Sequence, residues 1–245
     1  MEGPPLRVIA EELSQLAGEY VAEVSGNSKM QKEQLKGQKV LEVLSWGKNL
    51  FLQFSEFSLK VHFLMFGSYR FNEERQGVVP RLSLIFSKDT LNLYNCSVKI
   101  LNNSDVKKLY DKELDIMSES WNLAKVIGLV SSLSQDFICD VLLDQNVFAG
   151  VGNIIKNEAL FLSGINPLSV VEKIPKKKLE DITNEARKFS LNFYQAIKKG
   201  DSVRSQLTIY GKKSCPICGG KVIFQKTGKT RRTSYFCPSH QKLYA

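Results

Sequence analysis

The feature of this sequence that most constrains its fold is a pair of cysteine turns close to its C-terminal end. Cys215-Pro-Ile-Cys218 is followed, after 18 residues, by Cys237-Pro-Ser-His240. Two such turns at this spacing are typical of structural zinc sites, in which four cysteine and histidine ligands complete a tetrahedral shell. The intervening segment is long enough for one β-hairpin with no core of its own, so zinc would supply on the order of 10 kcal/mol of folding free energy. The sequence predicts one structural zinc ion, with no open position for a catalytic water.

The positive charge of the chain is concentrated in the same segment. The chain has 34 Lys and Arg against 25 Asp and Glu, a net charge of +9. Residues 201–245 contain nine basic side chains and one acidic side chain, so nine minus one, or +8, belongs to this segment. Such a concentration of positive charge predicts a polyanionic partner. The alternative is a basic surface that is simply exposed to solvent. The cysteine turns in the same segment favour the first interpretation.

Composition excludes several classes of protein. With 245 residues and 43% hydrophobic positions, the chain can bury one or two cores, which excludes a disordered or collagen-like protein. No apolar run approaches the ~20 residues that span a bilayer, and the first residues do not resemble a signal peptide. We therefore expect no membrane association and a location inside a cell. Cys96 and Cys139 lie in apolar runs and are predicted to be buried free thiols.

Hydrophobic periodicity predicts a multidomain α/β (α+β) protein in three parts: residues 1–103, 104–204 and 205–245. The first part combines an N-terminal helix with an antiparallel β-sandwich or barrel, the second is helical, and the third is a β-hairpin zinc finger. The predicted helices are residues 6–16, 123–131, 134–143, 153–162 and 178–198. The predicted strands are residues 39–44, 50–54, 59–64, 81–86, 91–94 and 97–101, with 221–225 and 233–236 in the finger.

The segment Asp144–Asn153 contains Gly150 and Gly152 immediately before a predicted helix. Two glycines there allow tight turns that would expose backbone N–H groups and a helix N-terminus, which together favour an anion such as a DNA phosphate. A simple connector between helices is the alternative for such a short motif.

The order of the motifs resembles the formamidopyrimidine-DNA glycosylase and endonuclease VIII family over the whole chain. The matching segments are Met1-Glu2-Gly3-Pro4, Gly47-Lys48-Asn49-Leu50, His62-Phe63-Leu64-Met65, the Asp144–Asn153 turn, Asn157-Glu158-Ala159-Leu160, Gly164-Ile165-Asn166-Pro167, Tyr210-Gly211 and the zinc motif. The resemblance implies a helix and β-sandwich domain, a helix–two-turn–helix domain, and DNA bound between them. It also implies excision of oxidised bases followed by strand cleavage at the abasic site.

The resemblance further implies the catalytic groups. Family members attack sugar C1′ with the α-amine of the N-terminal residue, forming a Schiff base that leads to β- and δ-elimination. An α-amine has a pKa of about 7.7 to 8.0, against about 10.4 for lysine, so part of it is neutral near physiological pH. On this interpretation Met1 supplies the amine and Glu2 is the general acid/base. Lys48 would protonate the ring oxygen or the departing base, or neutralise a neighbouring phosphate. The alternative is that Lys48 is a surface lysine with no role in the reaction.

The first residue departs from the family pattern, in which mature chains usually begin with proline. Three interpretations stay open. In the first, Met1 is retained, because methionine removal generally requires a small second residue and Glu2 is not small, and Met1 reacts through its primary amine. In the second, a proline has been replaced or lost and the chain is impaired. In the third, the chain binds DNA without lyase activity. Pro5 also stands where a glutamate is common in the family.

The resemblance assigns the phosphate contacts to Asn153 with the adjacent backbone of Gly152 and to Arg232, which lies five residues before Cys237. Arg231 is expected to share the role of Arg232.

Met65 corresponds to the residue that fills the space left by the extruded nucleotide. A buried core methionine is the alternative for this residue. The arginine and phenylalanine that many relatives also insert are absent from Asn95–Lys99, and His62 is taken as structural.

Gly3 and the short connection over residues 200–210 are closer to the endonuclease VIII branch, which favours oxidised pyrimidines such as thymine glycol and 5-hydroxyuracil. We expect a monomer acting on double-stranded damaged DNA, with single-stranded DNA as an option, in the cytoplasm or nucleoid of a bacterium or the nucleus of a eukaryote. The rival hypothesis is a catalytically impaired or non-enzymatic zinc-finger protein that binds damaged DNA. It gives no reason for Glu2 or Lys48.

Overall fold

The computed structural model describes all 245 residues and contains six α-helices and eight β-strands. The residues form two compact units. The first is Pro5–Asp111 together with Met1, and the second is Lys112–Ala245 together with Glu2–Pro4. The predicted mixed α/β class, with an antiparallel sheet, a helical part and a C-terminal hairpin, is confirmed. The domain boundaries after residues 103 and 204 stay predictions.

The first unit is built on one six-stranded antiparallel sheet, with helix α1 (Gly3–Glu12) packed on it through Leu6, Ile9 and Ala10. Along the chain the strands are β1 (Glu23–Ser25), β2 (Glu42–Trp46), β3 (Asn49–Gln53), β4 (Phe57–Phe71), β5 (Leu82–Ile85) and β6 (Thr90–Asn102), followed by helix α2 (Asn103–Leu109). Their order in the sheet is β1-β5-β6-β4-β3-β2. Helix α1 begins three residues before the predicted start because Pro4 and Pro5 fit a first helical turn.

The two long strands differ from the sequence prediction. Residues 91–94 and 97–101 were expected to be separate strands, but β6 is continuous, and β4 extends seven residues beyond the predicted end at Leu64. The register shifts between the pairs Phe63↔Cys96 and Ser68↔Tyr94, so Leu64–Gly67 lie opposite Asn95 alone. The interruption in the hydrophobic pattern therefore marks a β-bulge within one strand pair.

The second unit contains helices α3 (Leu123–Ser132), α4 (Ile138–Val141), α5 (Asn153–Leu162) and α6 (Lys176–Lys198), and a hairpin of β7 (Ile223–Thr227) and β8 (Arg232–Phe236). The predicted helix over residues 134–143 is wrong in length, since only α4 is helical. Phe137 instead pairs with Val170, and the Ile138 N–H donates to the Ser169 carbonyl at 2.9 Å, which keeps the chain before α4 extended.

The core of the second unit surrounds α5, in which Lys156, Asn157 and Glu158 are fully buried together with the apolar residues. The Glu158 carboxylate accepts hydrogen bonds from the backbone N–H groups of residues 208–210 at 2.8 to 3.1 Å. Helix α5 is therefore tied by polar groups to the chain that leads into the hairpin. No helix combines the length and apolar character that crossing a bilayer requires.

Candidate functional site

The carboxylate of Glu2 lies at the N-terminus of α5. Its two oxygens accept hydrogen bonds from the backbone N–H groups of Ile154 at 2.7 Å and Ile155 at 3.2 Å. The Gly3 N–H donates to the Gly150 carbonyl at 2.8 Å and holds the N-terminal segment against the turn before α5. The positive end of a helix favours negative charge. The N-terminus of α5 therefore binds a negative group, the chain's own carboxylate, through two of its N–H donors, and the binding of a DNA phosphate at this turn stays a prediction.

Gly152 is required by the close approach of Glu2. A Cβ atom on Gly152 would lie 2.5 Å from Glu2 Oε1, closer than any real contact of this kind. The φ angle of Gly152 is −116°, whereas Gly150 has φ +99°, in the region that favours glycine. The predicted turn role therefore holds for Gly150, while Gly152 makes room for the carboxylate.

Asn153, the first residue of α5, is joined to the hairpin. Its Nδ2 donates to the Thr233 carbonyl at 3.0 Å, and Nζ of Lys156 and Nδ2 of Asn157 both lie 3.3 Å from the same oxygen. The Tyr235 N–H donates to Asn157 Oδ1 at 2.6 Å. These bonds fix β8, which begins at Arg232, relative to α5. The strand that begins at Arg232 and the carboxylate of Glu2 are thus both bonded to the first turn of α5.

Lys156 is a fully buried lysine that sequence reasoning missed. Its Nζ donates to Ser234 Oγ at 2.9 Å. Burial lowers the pKa of Lys156 to about 8, and the positive charge of Arg232 acts in the same direction. A lysine directly after two isoleucines in a buried helix was the only signal available, and its partners lie 77 and 78 residues away in the sequence.

The turn that ends at Arg231, directly before Arg232 begins β8, is held by Asp140. This carboxylate accepts hydrogen bonds from the Lys229 N–H at 2.8 Å, the Thr230 N–H at 3.0 Å and the Thr230 hydroxyl at 2.8 Å. Lys229 also forms an ion pair with Asp136. Arg231 adopts φ +49°, and both Arg231 and Arg232 are exposed to solvent. Asp140 therefore positions the segment predicted to bind phosphates, and it too was missed from sequence.

The cysteine cluster contains three of the four predicted zinc ligands. The sulfur atoms of Cys215, Cys218 and Cys237 all lie within 4.8 Å of one another, close enough to coordinate one metal ion. His240 lies outside this group: its Nε2 is 3.1 Å from the Phe161 carbonyl oxygen, and its ring contacts that of Phe161. The donor set of three thiols suits zinc. Cys96 and Cys139 are buried free thiols, as predicted.

Lys48 lies in the first unit, in the two-residue turn that joins β2 and β3. Gly47, with φ +55°, makes this tight turn possible. The His62 ring contacts Asn49 Oδ1 at 3.2 Å and the Lys48 backbone, which anchors the turn.

Burial lowers the pKa of His62 below its usual value, and the charges of the N-terminal amine, Lys60 and Lys48 act in the same direction. The charges of the Met1 amine and the Lys48 ammonium group therefore both reach His62, and the His62 ring anchors the turn that carries Lys48.

Met65 is 67% exposed, which makes the alternative of a buried core methionine wrong. It lies in the bulge of β4, beside Leu64 and Phe66, which are 47% and 87% exposed. An exposed apolar side chain is the arrangement that a role in filling a gap in DNA requires.

Comparison with known proteins gives matches to both units. The N-terminal domain of formamidopyrimidine-DNA glycosylase matches residues 2–98, and the H2TH domain of formamidopyrimidine-DNA glycosylase matches residues 115–206. The chain is 36% identical to Endonuclease 8-like 3 of Mus musculus over 202 residues, which are 80% of this chain and 33% of the relative. It is 34% identical to Endonuclease 8-like 2 of Bos taurus over 198 residues, 75% of this chain and 58% of the relative. The chain thus spans between a third and three-fifths of the length of these relatives.

Solved structures share the fold along nearly the whole chain. A viral DNA glycosylase superposes with a TM-score of 0.87 at 23% identity, covering 99% of this chain and 100% of the other. The Lactococcus lactis Fpg (MutM) bound to DNA containing an oxidised pyrimidine superposes with a TM-score of 0.85 at 21% identity, with the same coverage. At these identities the likeness establishes the fold alone.

Proposed function

We propose a function for this chain from one premise: it belongs to the formamidopyrimidine-DNA glycosylase and endonuclease VIII family. It is a base-excision enzyme that removes oxidised bases from DNA, oxidised pyrimidines first, and then cleaves the strand at the abasic site. The single observation that carries the proposal is the Glu2 carboxylate, held by two helix N–H groups one residue from the N-terminal amine. A carboxylate held one residue from the reacting amine can accept and return protons at the sugar, a role that a protein that only bound DNA would not need.

The proposed reaction begins at the α-amine of the N-terminal residue, here Met1. The neutral amine forms a bond to sugar C1′, and the bond from C1′ to the base breaks as the base leaves and takes up a proton. The amine then loses a proton, the bond from C1′ to O4′ opens with protonation of O4′, and a Schiff base joins protein and DNA. Loss of a C2′ proton expels the 3′ phosphate, and loss of a C4′ proton expels the 5′ phosphate.

Two side chains serve this sequence of proton transfers. Glu2 accepts and returns protons at the sugar, and its bonds to Ile154 and Ile155 keep the carboxylate in place between steps. Lys48 donates a proton to O4′ or to the departing base, or neutralises a flanking phosphate. The turn that carries Lys48 is anchored by His62, so the ammonium group starts from a fixed backbone.

The DNA is held by phosphate contacts from Arg232, Arg231, Asn153 and the backbone at Gly152, and Met65 enters the space left by the extruded nucleotide. In support, both arginines are exposed, Arg231 at the end of the turn fixed by Asp140 and Arg232 at the start of β8. Asn153 is bonded to the same strand. The substrate is double-stranded damaged DNA bound by a monomer.

One zinc ion stabilises the hairpin, held by Cys215, Cys218, Cys237 and His240. The three thiols lie together, and the Nε2–H of His240 can donate to the Phe161 carbonyl, which leaves Nδ1 as the metal-binding atom. The ion supplies folding free energy and takes no part in the reaction.

The test is a single-turnover assay on duplexes carrying 5-hydroxyuracil, 8-oxoguanine or no damage, scored separately for base release and strand cleavage. We expect base release and cleavage with 5-hydroxyuracil, less with 8-oxoguanine, and none with undamaged DNA. Glu2→Gln is the matched control and should abolish base release. Tight binding of the damaged duplex by the wild-type protein with no base release would contradict the proposal and favour the DNA-binding rival.

A further inference from the structure

Lys156 is a buried positive charge that the proposed reaction does not use. Its side chain is fully buried in α5, and its two hydrogen-bond partners, the Thr233 carbonyl and the Ser234 hydroxyl, are both uncharged. Burying an ammonium group away from water costs free energy that uncharged partners do not repay in full. A glutamine could bond to the same oxygens at a smaller cost, so stability does not account for a lysine at this position.

The Thr233 carbonyl has more donors than it needs. A carbonyl oxygen has two lone pairs, but three side-chain nitrogens lie within hydrogen-bond distance, Asn153 Nδ2 at 3.0 Å and both Lys156 Nζ and Asn157 Nδ2 at 3.3 Å. The Asn153 amide can therefore turn from this oxygen towards a phosphate, the role proposed for it, while Lys156 keeps the carbonyl satisfied. Strand β8 then stays bonded to α5 through Lys156.

Titratable groups act on Lys156 from each element packed around it. Arg232, at the start of β8, disfavours the protonated form, whereas Glu2 and Asp140 favour it. Burial raises the pKa of the Cys139 thiol in α4 to about 11, so this thiol is neutral where Lys156 titrates. Burial is also the largest influence on Lys156 and lowers its pKa to about 8. The ammonium group therefore exchanges its proton near physiological pH, bonded to the residue that follows Arg232.

We propose that Lys156 is a positioning residue and buried cation of the phosphate site: it holds the strand that presents Arg232, and the phosphate bound by Arg232 stabilises its protonated form. This role rests on the proposed function and adds to it a charge that lies beneath the surface.

The expected direction of the effect follows from the charges. A phosphate brings a negative charge to the place where Arg232 now opposes the proton on Lys156. DNA adds little further burial to a side chain that already has no exposed surface. Binding should therefore be accompanied by uptake of a proton, and the affinity for DNA should fall as pH rises through the range in which Lys156 of the free protein loses its proton.

The experiment measures affinity by fluorescence anisotropy between pH 7 and pH 9.5, on a duplex whose abasic site has been reduced to an alcohol and cannot form a Schiff base. Lys156→Gln keeps a donor for the Thr233 carbonyl and removes the charge. The wild type should bind roughly 3- to 10-fold more tightly than Lys156→Gln at pH 7, and this advantage should largely disappear by pH 9.5. The α-amine titrates in both proteins and cancels in the comparison. Lys36→Gln, at an exposed lysine, should keep the wild-type pH dependence.

Lys156→Arg is the second variant, because arginine stays charged over the whole pH range. It should bind tightly at pH 7 and at pH 9.5 alike, so the two variants lose the pH dependence in opposite directions. Calorimetric titration in two buffers of different ionisation enthalpy counts the protons. At pH 8 the wild type should take up about 0.3 to 0.5 more protons per bound duplex than Lys156→Gln. Urea denaturation verifies that each variant is folded.

The outcomes separate this role from the proposed function. If the wild type prefers the reduced abasic duplex to undamaged DNA but Lys156→Gln matches its affinity and pH dependence, the role of Lys156 is wrong and the proposed function stands. A uniform loss of affinity with the wild-type pH dependence retained would mean that the side chain only supports the fold. No proton uptake by the wild type at pH 8 would overturn the role even if neither variant folded. A wild type that does not distinguish the abasic duplex from undamaged DNA would overturn both.

Discussion

The Glu2 carboxylate accepts a 2.7 Å hydrogen bond from the backbone N–H of Ile154, at the first turn of α5. This bond joins the residue next to the N-terminal amine to a helical residue 152 positions later in the sequence. It is possible because residue 152 has no side chain. The proposed catalytic carboxylate therefore depends on a glycine that makes no chemical contribution of its own.

Gly152→Ala should displace Glu2, because the added methyl group would overlap the carboxylate. We expect a loss of about 1 to 3 kcal/mol in the free energy of unfolding from overpacking. Base release should fall by roughly 100-fold, the cost of a small misplacement of a catalytic group. Chemical denaturation and single-turnover assays measure the two effects.

The matched control is Gly128→Ala in α3, where a Cβ atom would have no neighbour within 4 Å. Alanine should stabilise that helix by about 0.5 to 1 kcal/mol and leave base release unchanged. An unimpaired Gly152→Ala protein would mean that the position of Glu2 does not matter for the reaction.

Lys48→Ala should separate catalysis from binding. We expect base release to fall by roughly 100-fold or more, as for the loss of a general acid. Affinity for a duplex that contains tetrahydrofuran, a stable analogue of an abasic site, should change little. Lys36→Ala, which removes an exposed lysine elsewhere in the same unit, is the control for net charge. Unchanged processing by Lys48→Ala would remove this lysine from the mechanism.

Asp140→Ala should loosen the turn that carries Arg231 and Arg232. Three hydrogen bonds to Lys229 and Thr230 are lost, so we expect a destabilisation of about 1 to 3 kcal/mol and faster amide exchange at both residues. Affinity for damaged duplex should fall with it. Asp136→Ala, which removes only an ion pair with the exposed Lys229, should have little effect on stability because solvent screens the pair. Equal effects from the two substitutions would contradict the positioning role of Asp140.

Burial of Lys156 should make the free energy of unfolding depend on pH. Its pKa is about 8 in the folded protein and near 10.5 when unfolded. Below pH 8 both states hold the proton, so the cost of burying the charge is fully present. Between pH 8 and 10.5 the unfolded state binds more of the proton, so this cost diminishes as pH rises.

The free energy of unfolding of the wild type minus that of Lys156→Met should therefore rise by roughly 1 to 3 kcal/mol from pH 7 to pH 10. Urea denaturation at several pH values measures it, and the same difference for Lys36→Met should stay flat. A flat difference for Lys156 as well would show that its pKa is not lowered.

Metal analysis should find one zinc ion per chain, and removal by a chelator should unfold the hairpin and weaken DNA binding. Cys218→Ser should lose the ion. His240→Ala should bind zinc more weakly than the wild type; full occupancy with an intact hairpin would remove His240 from the ligand set.

The sequence predicted the helices and strands whose bounds depend on short-range patterns of residues. Helix α5 was predicted at its observed bounds because Gly152 and the glycine after Leu162, Gly164, mark its ends, and the hairpin followed from the cysteine spacing. It missed the bulge at Leu64–Gly67, where a break in periodicity resembles a turn. It also missed the roles of Asp140 and Lys156, because these depend on partners 77 to 90 residues away that only the folded chain brings together.

The most direct test of the proposed Schiff-base reaction is borohydride trapping on duplex DNA with an abasic site, using protein whose N-terminus has been verified by mass spectrometry. Reduction of a Schiff base leaves a stable covalent complex. A Schiff base at the N-terminal α-amine should give such a complex, mapped by peptide sequencing to that amine, and acetylation of the amine should abolish it. No complex despite tight, salt-sensitive binding, or a complex mapped to a lysine side chain, would contradict it.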